Sequence, residues 1–189
     1  MSKSLSIVAL VLLLVLVSIA RFPQEIRGAM SAAVASAKSI ADIYGRYLLA
    51  KQTATPQVKI MVIPGHEPDF GGAEYHGLKE RDLVLTAGTY LSGFLRSQPQ
   101  YTVMQSRDAS GWNPTLAQYF AAHWSDITAW RDTNAKELSD LIAVGKYVVK
   151  QAITQHNMAT NEVSIRLHGI NKWSNENDID IEVHLHINA

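Results

Sequence analysis

Apolar and polar residues recur along this chain with two different periods, and the change of period marks the expected elements. The segment Lys59–Ile63 is nearly all apolar, which is typical of a strand covered on both faces. From Glu80 to Arg96 the period is helical, since apolar residues return at steps of three and four. The residues of this apolar face are Leu83, Ala87, Leu91, Phe94 and Leu95. We therefore expect a buried strand followed by an amphipathic helix.

The middle of the chain continues this succession of strands and helices. Gln100–Ser106 is predicted to form a second strand. The long segment Pro114–Gln155 is helical in pattern and predicts two helices, with aromatic residues that are typical of packing. Asn161–Asn175 is predicted to be another helix, and the residues spaced for its buried face are Val163, Leu167, Ile170 and Trp173.

The last predicted strand, Ile179–Ile187, has a strict period of two. Its apolar face holds Ile179, Ile181, Val183, Leu185 and Ile187. Its other face holds Asp180, Glu182, His184, His186 and Asn188. Both histidines fall on the same side, so periodicity does not choose between them. The order strand–helix–strand–helix–helix–strand predicts an α/β domain with a mainly parallel, twisted sheet flanked by helices.

An apolar segment and a spacer precede this domain. Lys3 is followed by an apolar run, Leu5–Ala20, which Arg21 closes. The run has no helical pattern of polar residues and is interpreted as an N-terminal hydrophobic helix, either a membrane anchor or a signal peptide cleaved after Ser18-Ile19-Ala20. Both interpretations place the remainder in the cell envelope or outside the cell. Residues 1–21 are thus the anchor or signal, 22–57 a helical spacer and 58–189 the folded domain.

Composition narrows the classes of function. Lys plus Arg and Asp plus Glu number 17 each, so the formal net charge is zero and gives no electrostatic basis for binding nucleic acid. Cysteine is absent, which excludes thiolate catalysis, a disulfide scaffold and cysteine-ligated zinc. Any zinc ion would have to be held by histidine and carboxylate.

The segment Val58–Asp82 offers two ligands of this kind. It places His66 in a Gly/Pro-rich loop after the first strand and Glu80 at the start of the next helix. A catalytic zinc site has three protein ligands, and sites in parallel sheets lie outside the carboxyl ends of the strands. The third ligand is therefore expected at the end of another strand, where His184 and His186 are the candidates.

Three motifs carry a resemblance to a known family. They are P-G-H followed by G-G-A, G-L-K-E-R-D-L at the helix start, and the terminal I-E-V-H-L-H-I-N-A. From Val58 to Ala189 the chain resembles the zinc-dependent N-acetylmuramoyl-L-alanine amidases of the Amidase_3 type, chiefly in the order and spacing of His, Glu and His. The resemblance implies an amidase or zinc-exopeptidase-like fold in which His66, Glu80 and His186 hold Zn²⁺.

The activity implied by the resemblance is hydrolysis of the amide between N-acetylmuramic acid and L-alanine, with peptidoglycan as the partner. Arg107 matches an arginine of the family, and a structural salt bridge is its expected role. The family's general base is a glutamate beyond the third ligand, so it is expected beyond Ala189 and the chain is expected to be C-terminally incomplete. Glu67, beside His66, is expected to be a solvated loop carboxylate.

Two alternatives stay open beside the amidase. One is an envelope-anchored, non-catalytic binding module with the same fold. The other is a zinc peptidase that cleaves the stem peptide. The chain lacks the H-E-x-x-H motif, which disfavours a thermolysin-like protease.

Overall fold

The computed structural model describes residues 39–147 and 160–187. The hydrophobic segment Leu5–Ala20 therefore lies outside the described residues, and so does the end of the predicted helical region Pro114–Gln155. In the part of the chain that the structure describes, no helix combines the length and the apolarity needed to cross a membrane.

In chain order the elements are helix α1 (Ile40–Thr53), strands β1 (Val58–Pro64), β2 (Glu74–Tyr75) and β3 (Leu78–Lys79), helix α2 (Glu80–Arg96), strand β4 (Tyr101–Gln105), helices α3 (Pro114–Ala143) and α4 (Asn161–Glu176), and strand β5 (Ile181–Leu185).

The fold is α/β, with a three-stranded parallel sheet flanked by helices, as the sequence predicted. Strand β1 is central, with β4 on one side and β5 on the other. All residues of β1 except Lys59 are buried, which confirms the expectation of a strand covered on both faces. The short strands β2 and β3 form a separate antiparallel hairpin between β1 and α2.

The two faces of β1 pack against different helices. Met61 and Ile63 belong to the main hydrophobic cluster, which α3 and α4 supply with Leu116, Phe120, Ile127, Ile165 and Ile170. On the other face, Pro64 packs against Gly88 of α2. Because side chains alternate along a strand, one buried strand joins both helical layers into a single core.

The buried face of α2 differs from the prediction. Leu83 is 42% exposed and Phe94 65% exposed, whereas the buried positions are Glu80, Val84, Gly88 and Ser92. Small side chains let this helix approach β1 closely. The close approach buries the backbone and the small residues of the helix, while its larger apolar residues remain exposed. The predicted bounds of the helix, Glu80 to Arg96, are confirmed.

The predicted face of α4 needs a similar correction. Leu167 is 42% exposed, while Ile165, Gly169, Ile170 and Ser174 are buried. A Cβ atom on Gly169 would lie 2.9 Å from the ring of Phe120, so this glycine permits the close contact between α4 and α3. The packing of α4 against α3, and not the spacing of apolar residues along α4, therefore determines which face of α4 is buried.

Helix α3 consists of two helical segments that meet at a kink, in agreement with the two helices that the sequence predicted here. Asn113 caps it by accepting a hydrogen bond from the N–H of Thr115, and Pro114 occupies the first turn. His123 has a non-helical backbone (φ −122°, ψ 20°) and marks the kink. The chain thus changes direction within the segment where the sequence predicted a break between two helices.

A charged clamp ties α1 to the amino-terminal end of the sheet. Arg46 donates to both carboxylate oxygens of Asp180, at 2.8 and 2.6 Å, and the N–H of Lys59 donates to Asp180 as well. The compact unit that holds the sheet runs from Gly45 and includes Arg46. Arg46 and Asp180 are far apart in sequence, so no local pattern reports their contact.

Two glycines of α2 provide a matched test of the close approach. A Cβ atom on Gly88 would lie 2.7 Å from Cγ of Pro64, but one on Gly93 would meet nothing within 4 Å. We expect Gly88→Ala to lower the free energy of unfolding by about 1–3 kcal/mol, because it overpacks the helix–sheet interface. Gly93→Ala should raise it by up to about 1 kcal/mol, since alanine favours the helix. Urea unfolding measures both, and equal effects would contradict the proposed packing.

Candidate metal centre

Three of the predicted site residues meet at one end of the sheet. His66 follows β1, Glu80 begins α2, and His186 follows β5. One ligand atom from each of the three lies within 4.8 Å of the others, so the cluster could hold a metal ion. The parallel pairing explains the meeting, because the carboxyl ends of β1 and β5 lie side by side there.

Two distances within the cluster are close to the separation of neighbouring ligands around one small cation. Nε2 of His66 lies 3.0 Å from Oε2 of Glu80, and Nδ1 of His186 lies 3.6 Å from Oε1. Bonds of about 2.0–2.1 Å in a tetrahedron put neighbouring ligand atoms about 3.4 Å apart. Nε2 of His66 is buried and has no aligned hydrogen-bond partner among the described residues. A buried imidazole nitrogen that faces a carboxylate and a second imidazole fits a metal ligand.

The carboxylate of Glu80 is fixed by the backbone. It accepts one hydrogen bond from the N–H of Ala73 and one from the N–H of Ile187. Burial alone raises the pKa of Glu80, but the Ile187 N–H, the His66 ring and the Ala73 N–H outweigh burial and lower its pKa to about 2. Glu80 is therefore charged at all physiological pH values.

His186 is kept in the neutral form that binds metals. Burial and the neighbouring His66 lower the pKa of His186 from its ordinary value of 6.5, although Glu80 acts in the opposite direction. The rings of His66 and His186 meet edge to face, with centroids 5.1 Å apart. The second candidate, His184, lies outside the cluster, and its Nε2 is 3.3 Å from Glu182 instead. The structure therefore separates two histidines that periodicity alone left equivalent.

Glycines make room for the ligands, a role that the sequence motifs did not bring out. A Cβ atom on Gly65 would lie 2.4 Å from Cε1 of His186, so only glycine fits between β1 and this ring. Gly71 and Gly72 have positive φ values of 86° and 85° and pass close to the His66 side chain. The P-G-H turn and the G-G pair were visible in the sequence, but the contact of Gly65 with His186 depends on the folding of β5 beside β1.

Arg107 is structural, although not through the expected salt bridge. It is 1% exposed and donates to the backbone carbonyls of Pro64, Gly65 and Arg81, at 3.2, 2.7 and 2.8 Å. Burial lowers the pKa of Arg107 from its ordinary value. Its three hydrogen bonds tie the end of β1, the loop that carries His66 and the first turn of α2 together.

Glu67 is also different from the expectation of a solvated loop carboxylate. It is only 6% exposed, and Nε of Arg166 lies 2.8 Å from its Oε2. Arg166 belongs to α4, which contributes no metal ligand. No local signal in the sequence connects these two residues, because they meet only when α4 packs beside the loop.

No family model, curated protein or solved structure matches this chain. The remaining described histidines have other surroundings: the His76 ring meets the Tyr75 ring edge to face, His123 lies 3.4 Å from Asp126, and His168 contacts the carbonyl of Ser164.

The first prediction from this geometry concerns Gly65. Gly65→Ala would push the His186 ring away from Glu80, so we expect the affinity for Zn²⁺, the metal predicted from the sequence, to fall by about 10-fold or more. Competition with a chromogenic chelator measures this affinity. Gly93→Ala, in open space on α2, is the control and should bind zinc as the wild-type protein does. Unchanged affinity in Gly65→Ala would remove His186 from the ligand set.

A second prediction concerns pH and the metal-free protein. The folded-state pKa of Glu80 is about 2, below the ordinary 4.5, so its charge contributes stability above pH 4.5 that is lost as pH falls toward 2. In Glu80→Gln this contribution is missing at every pH. We expect the difference in unfolding free energy between wild type and Glu80→Gln to shrink as pH falls from 5 to 3. A difference that stays constant over this range, measured by urea unfolding, would refute the assigned pKa.

Proposed function

We propose that this chain is a zinc-dependent hydrolase that cleaves the amide between N-acetylmuramic acid and L-alanine in peptidoglycan. The observation that carries the proposal is the convergence of His66, Glu80 and His186 at the carboxyl ends of β1 and β5. Their order and spacing are those of the amidase motifs that the sequence resembles. A His, Glu and His set with a free coordination position is a donor set of catalytic zinc enzymes.

Zinc is the metal that best fits the donors. Two neutral imidazoles and one carboxylate suit Zn²⁺, whereas Mg²⁺ and Ca²⁺ prefer oxygen ligands throughout. The short spacing around Glu80 and the burial of Nε2 of His66 agree with a small tetrahedral cation. When bound, zinc lowers the pKa of a water to about 7 and polarises a substrate carbonyl.

The residues of the chain contribute orientation and charge to this chemistry. The backbone hydrogen bonds of Ala73 and Ile187 hold the Glu80 carboxylate in one orientation, and its negative charge balances part of the charge of the cation. The lowered pKa of His186 keeps that imidazole free of a competing proton near neutral pH. Arg107 fixes the loop and the helix start that carry His66 and Glu80. The site is therefore arranged before any ligand arrives, which is the condition for efficient catalysis.

The proposed setting is the cell envelope. An apolar segment after Lys3 would export the domain, either as a retained anchor or as a signal peptide. The domain would then act on peptidoglycan outside the cytoplasm. Its balanced charge agrees with a polysaccharide–peptide partner rather than a nucleic acid.

A second candidate is an envelope-anchored binding module that keeps the fold and the metal without catalysis. The observation in its favour is that the described cluster contains no carboxylate besides Glu80, while the neighbouring Glu67 is engaged by Arg166. A general acid or base is needed for the leaving amine in hydrolysis. A zinc peptidase acting on the stem peptide would use the same metal centre on a different bond.

Digestion of purified muropeptides by the protein encoded by the whole reading frame tests these candidates. For the amidase we expect mass spectrometry to show free stem peptide and intact N-acetylmuramic acid, with loss of activity in a chelator and recovery on adding zinc. His66→Ala should lower the rate by about 1000-fold or more, because it removes a ligand.

His123→Ala is the matched control, since this exposed histidine lies away from the cluster, and it should act at the wild-type rate. Products cut within the stem peptide would favour the peptidase. Zinc binding and peptidoglycan binding without any cleavage would favour the binding module. Full activity in His66→Ala would contradict the proposed ligand set.

A further inference from the structure

The backbone of His66 adopts a conformation that must be held by its surroundings. Its φ is 67°, in the left-handed region that only a few per cent of residues other than glycine adopt, with asparagine, aspartate and histidine the most frequent of them. Such conformations persist only where neighbouring contacts enforce them. The residues on either side of His66 should therefore be anchored.

One anchor acts on the residue before His66. The N–H of Gly65 donates to the carbonyl of Leu185 at 2.9 Å, and the carbonyl of Gly65 accepts from Arg107 at 2.7 Å. These bonds attach Gly65 to β5 and to the loop after β4. They leave the other side of His66 to be fixed by a different contact.

The second anchor acts on the residue after His66. The N–H of Glu67 donates to the carbonyl of Phe70, and its buried carboxylate lies 2.8 Å from Nε of Arg166. Among the described residues, Arg166 is the cation within ion-pair distance of this carboxylate, while Arg107 attracts it from farther away. A buried carboxylate that loses its partner is strongly unfavourable, so removal of Arg166 would drive Glu67 toward solvent.

Arg166 is itself held in place by its own layer. Its guanidinium lies 5.9 Å from the centre of the Trp124 ring, and it is 4.0 Å from Glu162 one turn earlier on α4. The residue thus joins α3 and α4 on one side to the loop of a metal ligand on the other.

We propose that Arg166 is a positioning residue for the metal centre, acting through Glu67 to hold the strained turn at His66. The proposal rests on the zinc site of the proposed function, but it does not depend on which bond the enzyme cleaves. It gives the α3–α4 layer a role in metal binding although that layer supplies no ligand.

Zinc binding and the visible spectrum of the cobalt-substituted protein test this role. Arg166→Gln should lower zinc affinity about 10–100-fold, because the His66 turn relaxes. It should also change the cobalt absorption bands, which report ligand geometry and which a general loss of stability in a still-folded protein would not move. Arg166→Lys keeps the charge and should recover part of the affinity.

Arg131→Gln is the matched control, since Arg131 also joins α3 to α4 through Asn161 but lies outside the metal centre. It should leave both zinc affinity and the cobalt spectrum unchanged. Circular dichroism confirms that each variant is folded. If Arg166→Gln does not fold, Glu67→Gln provides the same test, because it removes the charge pair with little change in shape and should reproduce the loss of affinity.

The double variant Glu67→Gln with Arg166→Gln tests the route of action. If Arg166 acts through Glu67, the double variant should bind zinc about as well as either single variant. Additive losses would overturn the proposed coupling, as would wild-type affinity and spectrum in a folded Arg166→Gln. Failure of the wild-type protein to bind zinc would instead reject the proposed zinc site on which the role depends.

Discussion

The parallel pairing of β5 with β1 is the interaction on which the site depends. Its register places Leu185 opposite Pro64, and the N–H of Gly65 extends the ladder by donating to the carbonyl of Leu185. Because the two strands run in the same direction, their carboxyl ends lie at the same end of the sheet. The residues that follow, His66 and His186, are then neighbours across a single strand spacing. A shift of one residue would turn the His186 ring to the other face of the sheet.

The site also requires that α2 and the end of β5 approach β1 closely, and small residues make this approach possible. Gly65 leaves space for the His186 ring, and Gly88 lets α2 lie directly on Pro64. The amino-terminal turn of α2 thereby comes near enough for Glu80 to face both imidazoles. The same close packing leaves larger apolar residues of α2, such as Tyr90 and Phe94, on the exposed side. The close packing of α2 on β1 therefore explains both the position of the Glu80 carboxylate and the exposed apolar residues of α2.

Buried charge at this end of the sheet is organised by hydrogen bonds rather than by ion pairs alone. Glu80 is held by backbone N–H groups, and Arg107 by backbone carbonyls. Only Glu67 depends on an opposite charge, that of Arg166. Backbone partners cannot move away independently of the fold, so they fix the orientation of a side chain more firmly than a flexible partner does. This arrangement gives the site a preorganised geometry, with one adjustable contact through α4.

The sequence by itself determined the three strands of the parallel sheet, the bounds of α2, the α/β class and the residue types of the candidate metal cluster, since local period and motif spacing carry this information. It did not predict the short hairpin of β2 and β3. It did not determine which faces of α2 and α4 are buried, because Gly88 and Gly169 become core residues only through contacts with other elements. The choice between His184 and His186 by periodicity was open for a related reason: both lie on one face, and only the end of the strand reaches the site. The contacts of Arg46 with Asp180 and of Arg166 with Glu67 join distant parts of the chain. Such contacts were decided by the tertiary structure alone, because no local pattern encodes which distant residues meet.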